Sequence, residues 1–509
     1  MQKFFRRRLY TLQKIPEIFT TAKQKEKKFM DIRNKKDFVT EKIFNVFELV
    51  FKISFLMYGL ASFNSFFAQT KVISLLLILT TLCAGITLLY RLVNFRRFIH
   101  NKMLWLCFAF LASYAVSFVL NLQYANMNGI KTLAFMGMQF CLLVATDENK
   151  GFEDFKTEVN LIFQIFSFYM MAAAFTSIIL MFCGYSNITE RNNKYILSGF
   201  VWGRLWGVFT DPNYAAVLSV MTIIISLYAI KERKTVFWRT VNIINIILQV
   251  LYISFSDSRT GMVVAFVSLS LYICLRLSAN YLKNGKLSKK IVCISMILII
   301  VFIGSTSFKA INTIYNKTVS LIATAEKEPE EKGEQTIENN TVAGREQDLE
   351  KDISNRRFDL WNSAVETFKL RPVFGVSFES VVDFAEANLP DTYLINNDNG
   401  KFNNYHNVLF NVLVGQGIVG IVIFFAMIVY AGLNLIKAVY NSYGTKNYLL
   451  CCLLFTLLVA IFVSAMFISD IIYTISVNMM IFWYLLGIML AKGREDINEY
   501  KNQRNNSCI

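Results

Sequence analysis

The chain holds two histidines in 509 residues, no Cys-x-x-Cys pair and no Asp-x-Asp motif. Of its nine cysteines, eight (Cys83, Cys107, Cys141, Cys183, Cys274, Cys293, Cys451, Cys452) lie in or beside apolar runs, and Cys508 is in the tail. That placement excludes a disulfide framework and a zinc site. The first 42 residues are basic and polar, and lack the short apolar core and small-residue cleavage site of a signal peptide. No internal repeat of the kind that marks transporter halves is visible. What is abundant is apolar: 55% of residues are hydrophobic, 46 are Phe, and the mean hydropathy is +0.43. A soluble chain cannot bury so much apolar surface, so the totals select an all-α, polytopic membrane helix bundle.

A helix needs roughly 20 mostly apolar residues to cross a bilayer. Twelve runs qualify, at 44–66, 72–90, 103–122, 128–146, 160–183, 213–230, 239–256, 260–276, 290–308, 406–436, 447–468 and 470–491. Lys and Arg then orient them, because cytoplasmic loops retain positive charge. With the N-terminus inside, 34 of the 52 Lys and Arg fall in inside segments, 16 fall outside, and Lys52 and Lys131 lie within runs. The short outside loops hold only Lys71, Arg191, Lys194, Arg204 and Arg259. Both termini are therefore expected in the cytoplasm. The net charge of +16 is a topology signal, with attraction of the N-terminal arm to anionic lipid as a lesser effect and no call for nucleic acid.

The expected organisation is a basic cytoplasmic arm over 1–42, nine helices over 43–308, one large extracytoplasmic loop over 309–405, three helices over 406–491 and a cytoplasmic tail over 492–509. Within the loop, 326–352 is acidic, polar and read as a flexible excursion. Over 354–370 the apolar residues Phe358, Trp361, Val365 and Phe368 recur at helical spacing, which predicts an amphipathic helix capped by Ser354 or Asn355 and ended by Pro372.

The polar residues that interrupt this pattern gather at one face. Arg204 precedes the sixth run in Trp202-Gly203-Arg204-Leu205-Trp206-Gly207-Val208-Phe209-Thr210-Asp211-Pro212-Asn213, where Asp211 can cap a helix and Pro212 can occupy its first turn. Asp257-Ser258-Arg259 opens the eighth run and His406-Asn407 the tenth. All three runs start from the same side, so three positive helix ends carry two arginines and a histidine to one face. Arginine forks bind phosphate oxygens bidentately and keep their proton, so the face suits a diphosphate. The competing readings are plain ones: an interfacial arginine can snorkel to headgroups, and His406 can simply cap a helix. His100 sits among Arg96, Arg97 and Lys102 and is read as facing headgroups, Lys131 as snorkelling, and Glu48 with Lys52 as an i, i+4 pair.

Gly203 to Asn213, Ser256-Asp257-Ser258-Arg259, Arg357-Phe358-Asp359-Leu360-Trp361 with Pro372 and Gly375, and His406-Asn407 together resemble the O-antigen ligase and polysaccharide polymerase family over about 195–425. The resemblance implies a membrane glycosyltransferase of the C type that moves a glycan from undecaprenyl diphosphate to an acceptor hydroxyl without a metal or other cofactor. It implies that Arg204 and Arg259 hold the diphosphate, that His406 engages the acceptor hydroxyl, and that Arg357 contributes from the loop. Many relatives have a second glycine where this chain has Ser377, so the local turn is expected to differ.

The residues support the same chemistry. Two arginines can neutralise charge developing on a leaving diphosphate, and a histidine can take the proton of the attacking hydroxyl. The first outer loop, Asn64 to Lys71, has no carboxylate, which argues against metal-dependent dolichol-type transferases. The expected protein is a polymerase of lipid-linked repeat units of a surface polysaccharide in a bacterial cytoplasmic membrane. A composition rich in Lys, Asn and Ile inclines this towards a capsule system. A flippase and a chain-length regulator are the expected partners. A ligase acting on another acceptor is the alternative. A flippase for lipid-linked oligosaccharide is the alternative of a different class, disfavoured because the charges gather at one face and not at the midplane.

Overall fold

The computed structural model describes residues 41–68, 70–191, 194–281, 313, 356–397 and 400–507. The N-terminal arm to residue 40, the ninth apolar run, the acidic excursion and the caps Ser354 and Asn355 lie outside the described residues. Thirteen helices are described: α1 (Glu41–Ser62), α2 (Lys71–Val93), α3 (Lys102–Leu120), α4 (Met127–Gln139), α5 (Phe152–Phe182), α6 (Pro212–Glu232), α7 (Val236–Ser256), α8 (Arg259–Tyr281), α9 (Arg357–Leu370), α10 (Val381–Asn388), α11 (Val408–Asn441), α12 (Tyr448–Ala465) and α13 (Val477–Ser507). Among the described residues, ten helices are long and apolar enough to cross a membrane. The all-α polytopic expectation holds.

α6 is the axis of the bundle. Residues Ala215 to Ile225 are buried on every side, as an apolar stretch without a polar face requires, and α5, α7, α8 and α12 pack around it. The outer helices turn apolar side chains outward instead; Leu75, Leu82 and Val93 of α2 are exposed, which suits a lipid solvent.

Three local departures position the site. The segment before α6 is not a bare turn but a three-stranded antiparallel sheet: β1 (Ser186–Arg191), β2 (Lys194–Val201) and β3 (Arg204–Gly207), in the order β1-β2-β3. Trp202 and Gly203, at φ 51° and 67°, make the two-residue hairpin turn whose paired positive φ matches strand twist. Gly207, at φ 61°, lies so close to Ser177 of α5 that a Cβ there would collide with the serine side chain. Ser177 Oγ also accepts the Val208 N–H at 3.0 Å, which pins the sheet to α5.

Second, α11 is broken at Gly417, with φ 64° and ψ −159°. The strand-like segment Pro372 to Ser377 docks into the break. Val376 N–H donates to Val414 O at 2.9 Å and Ser377 N–H to Gly415 O at 3.0 Å, while Ile418 N–H donates to Pro372 O at 2.8 Å. Irregular backbone at membrane depth persists only where protein meets its polar groups, and here it does. Ser377 adopts φ 65°, a conformation that a glycine would take without strain.

Third, the last apolar run does not start its helix at 470. Residues 466–476 are irregular, and α13 begins at Val477. Ser476 Oγ donates to Asp470 O at 2.6 Å and Trp483 Nε1 to Ile471 O at 2.8 Å, which holds the segment in place.

α9 follows the helical spacing read from the loop, but it does not bury the expected stripe. Leu360, Ser363, Ala364 and Thr367 face inward, while Phe358 is 61% and Val365 38% exposed. Small residues let α9 approach closely, and together with α10 and the start of α11 it builds a second, smaller core around Val376, Phe384, Leu394 and Tyr405.

Candidate functional site

Arg204 opens β3, directly after the hairpin turn. Its Nε donates to Ser256 O at the end of α7 (2.9 Å) and its Nη2 to Asn213 Oδ1 in the first turn of α6 (2.9 Å). Asn213 Oδ1 also accepts from Ser258 Oγ at 3.0 Å, and Ser258 Oγ accepts the Gly261 N–H at 3.0 Å. One amide oxygen thus ties β3, α6 and the α7–α8 turn together. That turn is tight because Asp257 takes the left-handed conformation at φ 46°. α6 begins as its sequence predicts: Asp211 accepts from Asn213 N–H (2.7 Å) and Tyr214 N–H (3.3 Å), with Pro212 in the first turn.

Arg259 is the first residue of α8. Beside it stands Arg357, the first residue of α9, whose Nη2 donates to Thr260 Oγ1 at 3.4 Å and whose guanidinium lies 5.5 Å from the Phe467 ring. Burial lowers the Arg357 pKa, Asp211 opposes that, and the like charge of Arg259 adds to it. The cation is therefore held where its charge is costly, a condition that an anionic ligand would relieve.

His406 sits in the turn immediately before α11. Its φ of 48° is left-handed, and its N–H donates to Asn404 Oδ1 at 2.8 Å. The turn is fixed from three sides. Trp361 Nε1 of α9 donates to Tyr405 O at 3.1 Å, Tyr405 OH reaches Thr367 Oγ1 at 3.1 Å, and Asn407 Nδ2 donates to Met466 O at 3.1 Å. Strained backbone at a fully braced histidine is a mark of functional sites. Burial pushes the imidazole pKa down, Arg357 pushes it further the same way, and Asp211 opposes both. The imidazole is thus neutral near pH 7 and free to accept a proton.

Arg357, Arg259, Asp211 and His406 therefore share one electrostatic neighbourhood, and Arg204 is joined to it through Asn213 at the start of α6. The four site residues read from the sequence all fall at the same end of the bundle, where α6, α8 and α11 begin. The arginine that acts on His406 is Arg357. Three participants were not read from the sequence. Asp211 serves as more than a cap, being the carboxylate that faces both Arg357 and His406. Asn213 links the elements that carry the two arginines. Asp470 is buried, accepts from Asn478 Nδ2, and is pushed up to about 7 by burial, with Asp211 adding to the shift. A carboxylate inside an apolar run was the available signal for it.

At the opposite end the charges behave differently. Lys52 pairs with Glu48 at 2.7 Å, as its spacing predicts, and also with Glu158 at 2.5 Å; Arg91 joins Glu48 at 3.0 Å. His100 pairs with Glu148 at 2.6 Å. Lys131, by contrast, lies near the start of α4, whose Thr132 binds Glu379, and is exposed near Asn128.

No curated protein matches the chain. Residues 244–425, less than half of the chain, match the family model described as O-antigen ligase. The match takes in α7, α8, α9, α10 and the first half of α11, and so contains Arg259, Arg357 and His406, while Arg204 precedes it. Over residues 244–425, this multi-pass membrane protein is similar to the O-antigen ligase family.

Proposed function

We propose that the protein is a polymerase that joins undecaprenyl-diphosphate-linked oligosaccharide units into a surface polysaccharide, such as a capsule, at the outer face of a bacterial cytoplasmic membrane. The observation that carries this reading is the convergence of Arg357 and His406 on Asp211, with Arg259 beside Arg357, where four helices begin. Neutral His406 takes the proton of the acceptor hydroxyl. The hydroxyl oxygen then bonds to the anomeric carbon as the bond from that carbon to the diphosphate oxygen breaks. The diphosphate leaves with the electron pair, and Arg204 and Arg259, with Arg357 nearby, neutralise the charge it gains. This needs no divalent metal, because the charge is met by guanidinium groups that are permanently protonated. The expected topology, with both termini cytoplasmic, puts this site on the outer side.

Purified full-length protein given only the lipid-linked repeat unit, in excess chelator, should form a ladder of products. A single transfer that requires a different acceptor would select the ligase reading. Turnover restored only by magnesium or manganese would remove the metal-independent mechanism.

A further inference from the structure

A second polar recess lies at the far end of the bundle, between the N-terminal half of α5, the end of α6 and the start of α7. The cavity has a volume of about 340 Å³, and its lining includes Asn160, Gln164, Ser167, Arg233, Trp238 and Asn242. Four amides, the Tyr228 hydroxyl and the opposite charges Glu232 and Arg233 make up most of its polar surface. Ser167 Oγ is buried there without a hydrogen-bond partner among the described residues. Asn245, 3% exposed, closes the floor, donating to Ser167 O at 3.3 Å. The Ser167 hydroxyl is one of several in the described residues left unmet, and it is the one that faces the recess.

The rim of the recess has a different chemistry. The α6–α7 turn reads Lys231-Glu232-Arg233-Lys234-Thr235-Val236-Phe237-Trp238-Arg239, four cations to one anion. Val236 and Phe237 are 76% and 68% exposed, and the Trp238 ring packs edge-on against Phe168 at 5.9 Å. Arg239 Nε donates to Arg233 O at 2.8 Å, which shapes the turn. Exposed aromatics beside a basic turn are what a bilayer interface selects, and basic pockets between membrane helices take anionic lipid headgroups.

We propose that this recess binds an anionic phospholipid whose headgroup carries hydroxyls, of the phosphatidylglycerol type. The phosphate rests against Arg233 and Lys234, and the hydroxyls enter the amide-lined cavity towards Asn242, Gln164 and Ser167. Along α7 the polar residues Asn242, Asn245, Gln249, Tyr252 and Ser256 recur at i, i+3 and i+4 spacing, and lie on one face. Gln249 Nε2 donates to Asn245 Oδ1 at 2.9 Å, Tyr252 OH to Trp206 O at 3.2 Å, and Ser256 O accepts from Arg204. The floor of the lipid recess thus continues along one helix face into the arginine end.

The test uses full-length protein in nanodiscs with spin-labelled phosphatidylglycerol, phosphatidic acid and phosphatidylcholine. Phosphatidylglycerol should associate about fivefold more strongly than phosphatidylcholine, the effect of one cation near the surface. It should also exceed phosphatidic acid, which offers no headgroup hydroxyls. Arg233→Gln with Lys234→Gln should bring phosphatidylglycerol towards phosphatidylcholine. Gln164→Leu with Asn242→Leu should abolish the preference over phosphatidic acid and keep the preference over phosphatidylcholine. Parity of all three lipids in the wild type overturns the proposal. So does displacement of the lipid by millimolar inorganic phosphate, which would mark a free-anion site. If the recess variants fail to fold, brominated phosphatidylglycerol should quench the fluorescence that Trp238→Phe removes, and equal quenching by brominated phosphatidylcholine overturns the assignment.

Discussion

The two ends of the bundle treat charge in opposite ways. At one, Lys52, Glu48, Glu158 and Arg91 are buried as opposite charges within 3.0 Å of one another, so the protein meets its own desolvation cost. At the other, Arg357 stands next to Arg259, and the one carboxylate acting on both Arg357 and His406 is Asp211. A cluster that neutralises itself fastens helices. Cations set at helix N-termini, with Asp211 as the carboxylate acting on Arg357 and His406, suit a ligand of negative charge. On the proposed function, the first end is structural and the second carries the chemistry.

The sharpest way to break this contrast is His406→Ala. Initial rates on purified variants should fall by about 10²–10⁴-fold, the usual worth of a general base, while lipid-linked donor still binds. Wild-type turnover, or a loss of donor binding as severe as in Arg204→Ala, would remove His406 as the base.

Lys52→Met should then show the opposite behaviour. It leaves Glu48 and Glu158 buried beside an apolar neighbour and should destabilise the protein by about 3–5 kcal/mol, the cost of breaking a buried pair. Thermal unfolding in detergent would read that loss, and the activity of the molecules that remain folded should be unchanged. Lost activity at unchanged stability would place chemistry at both ends.

Arg204→Lys and Arg259→Lys keep the charge and lose the fork. Each should weaken donor binding by roughly tenfold or more, the worth of a hydrogen bond to a charged group, with protein level maintained. Equilibrium binding of the lipid-linked donor decides it; wild-type affinity in either variant would remove that residue from the donor site.

The pH dependence of kcat/KM tests the same end without mutation. Burial and Arg357 hold the His406 pKa below its ordinary value of about 6.5. The active neutral form is therefore fully present at pH 7 and is lost as pH falls through the depressed pKa. The rate should fall on the acid side with a midpoint below the ordinary histidine value of about 6.5. A decline that begins above pH 7 would contradict the assignment.

The smallest effect belongs to neither end. Ser377→Gly relieves a left-handed serine and should raise stability by about 1 kcal/mol without a change in rate. Thermal melts of the two proteins compare it directly.

Much of the bundle was legible because a bilayer imposes a length and a hydropathy on each span. Eleven of the twelve apolar runs correspond to described helices, and the ninth lies outside the described residues. The start of α6 was legible for a local reason as well, since Asp211 and Pro212 cap it through backbone groups two and three residues away. The positions of Arg204, Arg259 and His406 ahead of helices that start from one face followed from counting crossings.

What the sequence by itself determined is therefore what neighbouring residues and the membrane dictate: the spans, their caps and the end at which the arginines and the histidine fall. Tertiary structure decided the rest. The sheet of β1, β2 and β3 is held against α5 where Gly207 presses on Ser177, a contact across the fold that short strands do not announce. The inward face of α9 is set by how closely Ser363 and Ala364 can approach, not by the larger apolar stripe beside them. The last run is irregular to Ser476 because the Ser476 hydroxyl and the Trp483 indole bind the backbone carbonyls of Asp470 and Ile471. The choice of Arg357 as the neighbour of His406, and of Asp211 as the carboxylate between them, depends on α6, α9 and α11 meeting in space. Residues about 150 and 200 positions apart are brought together there, and no local pattern encodes such a distance.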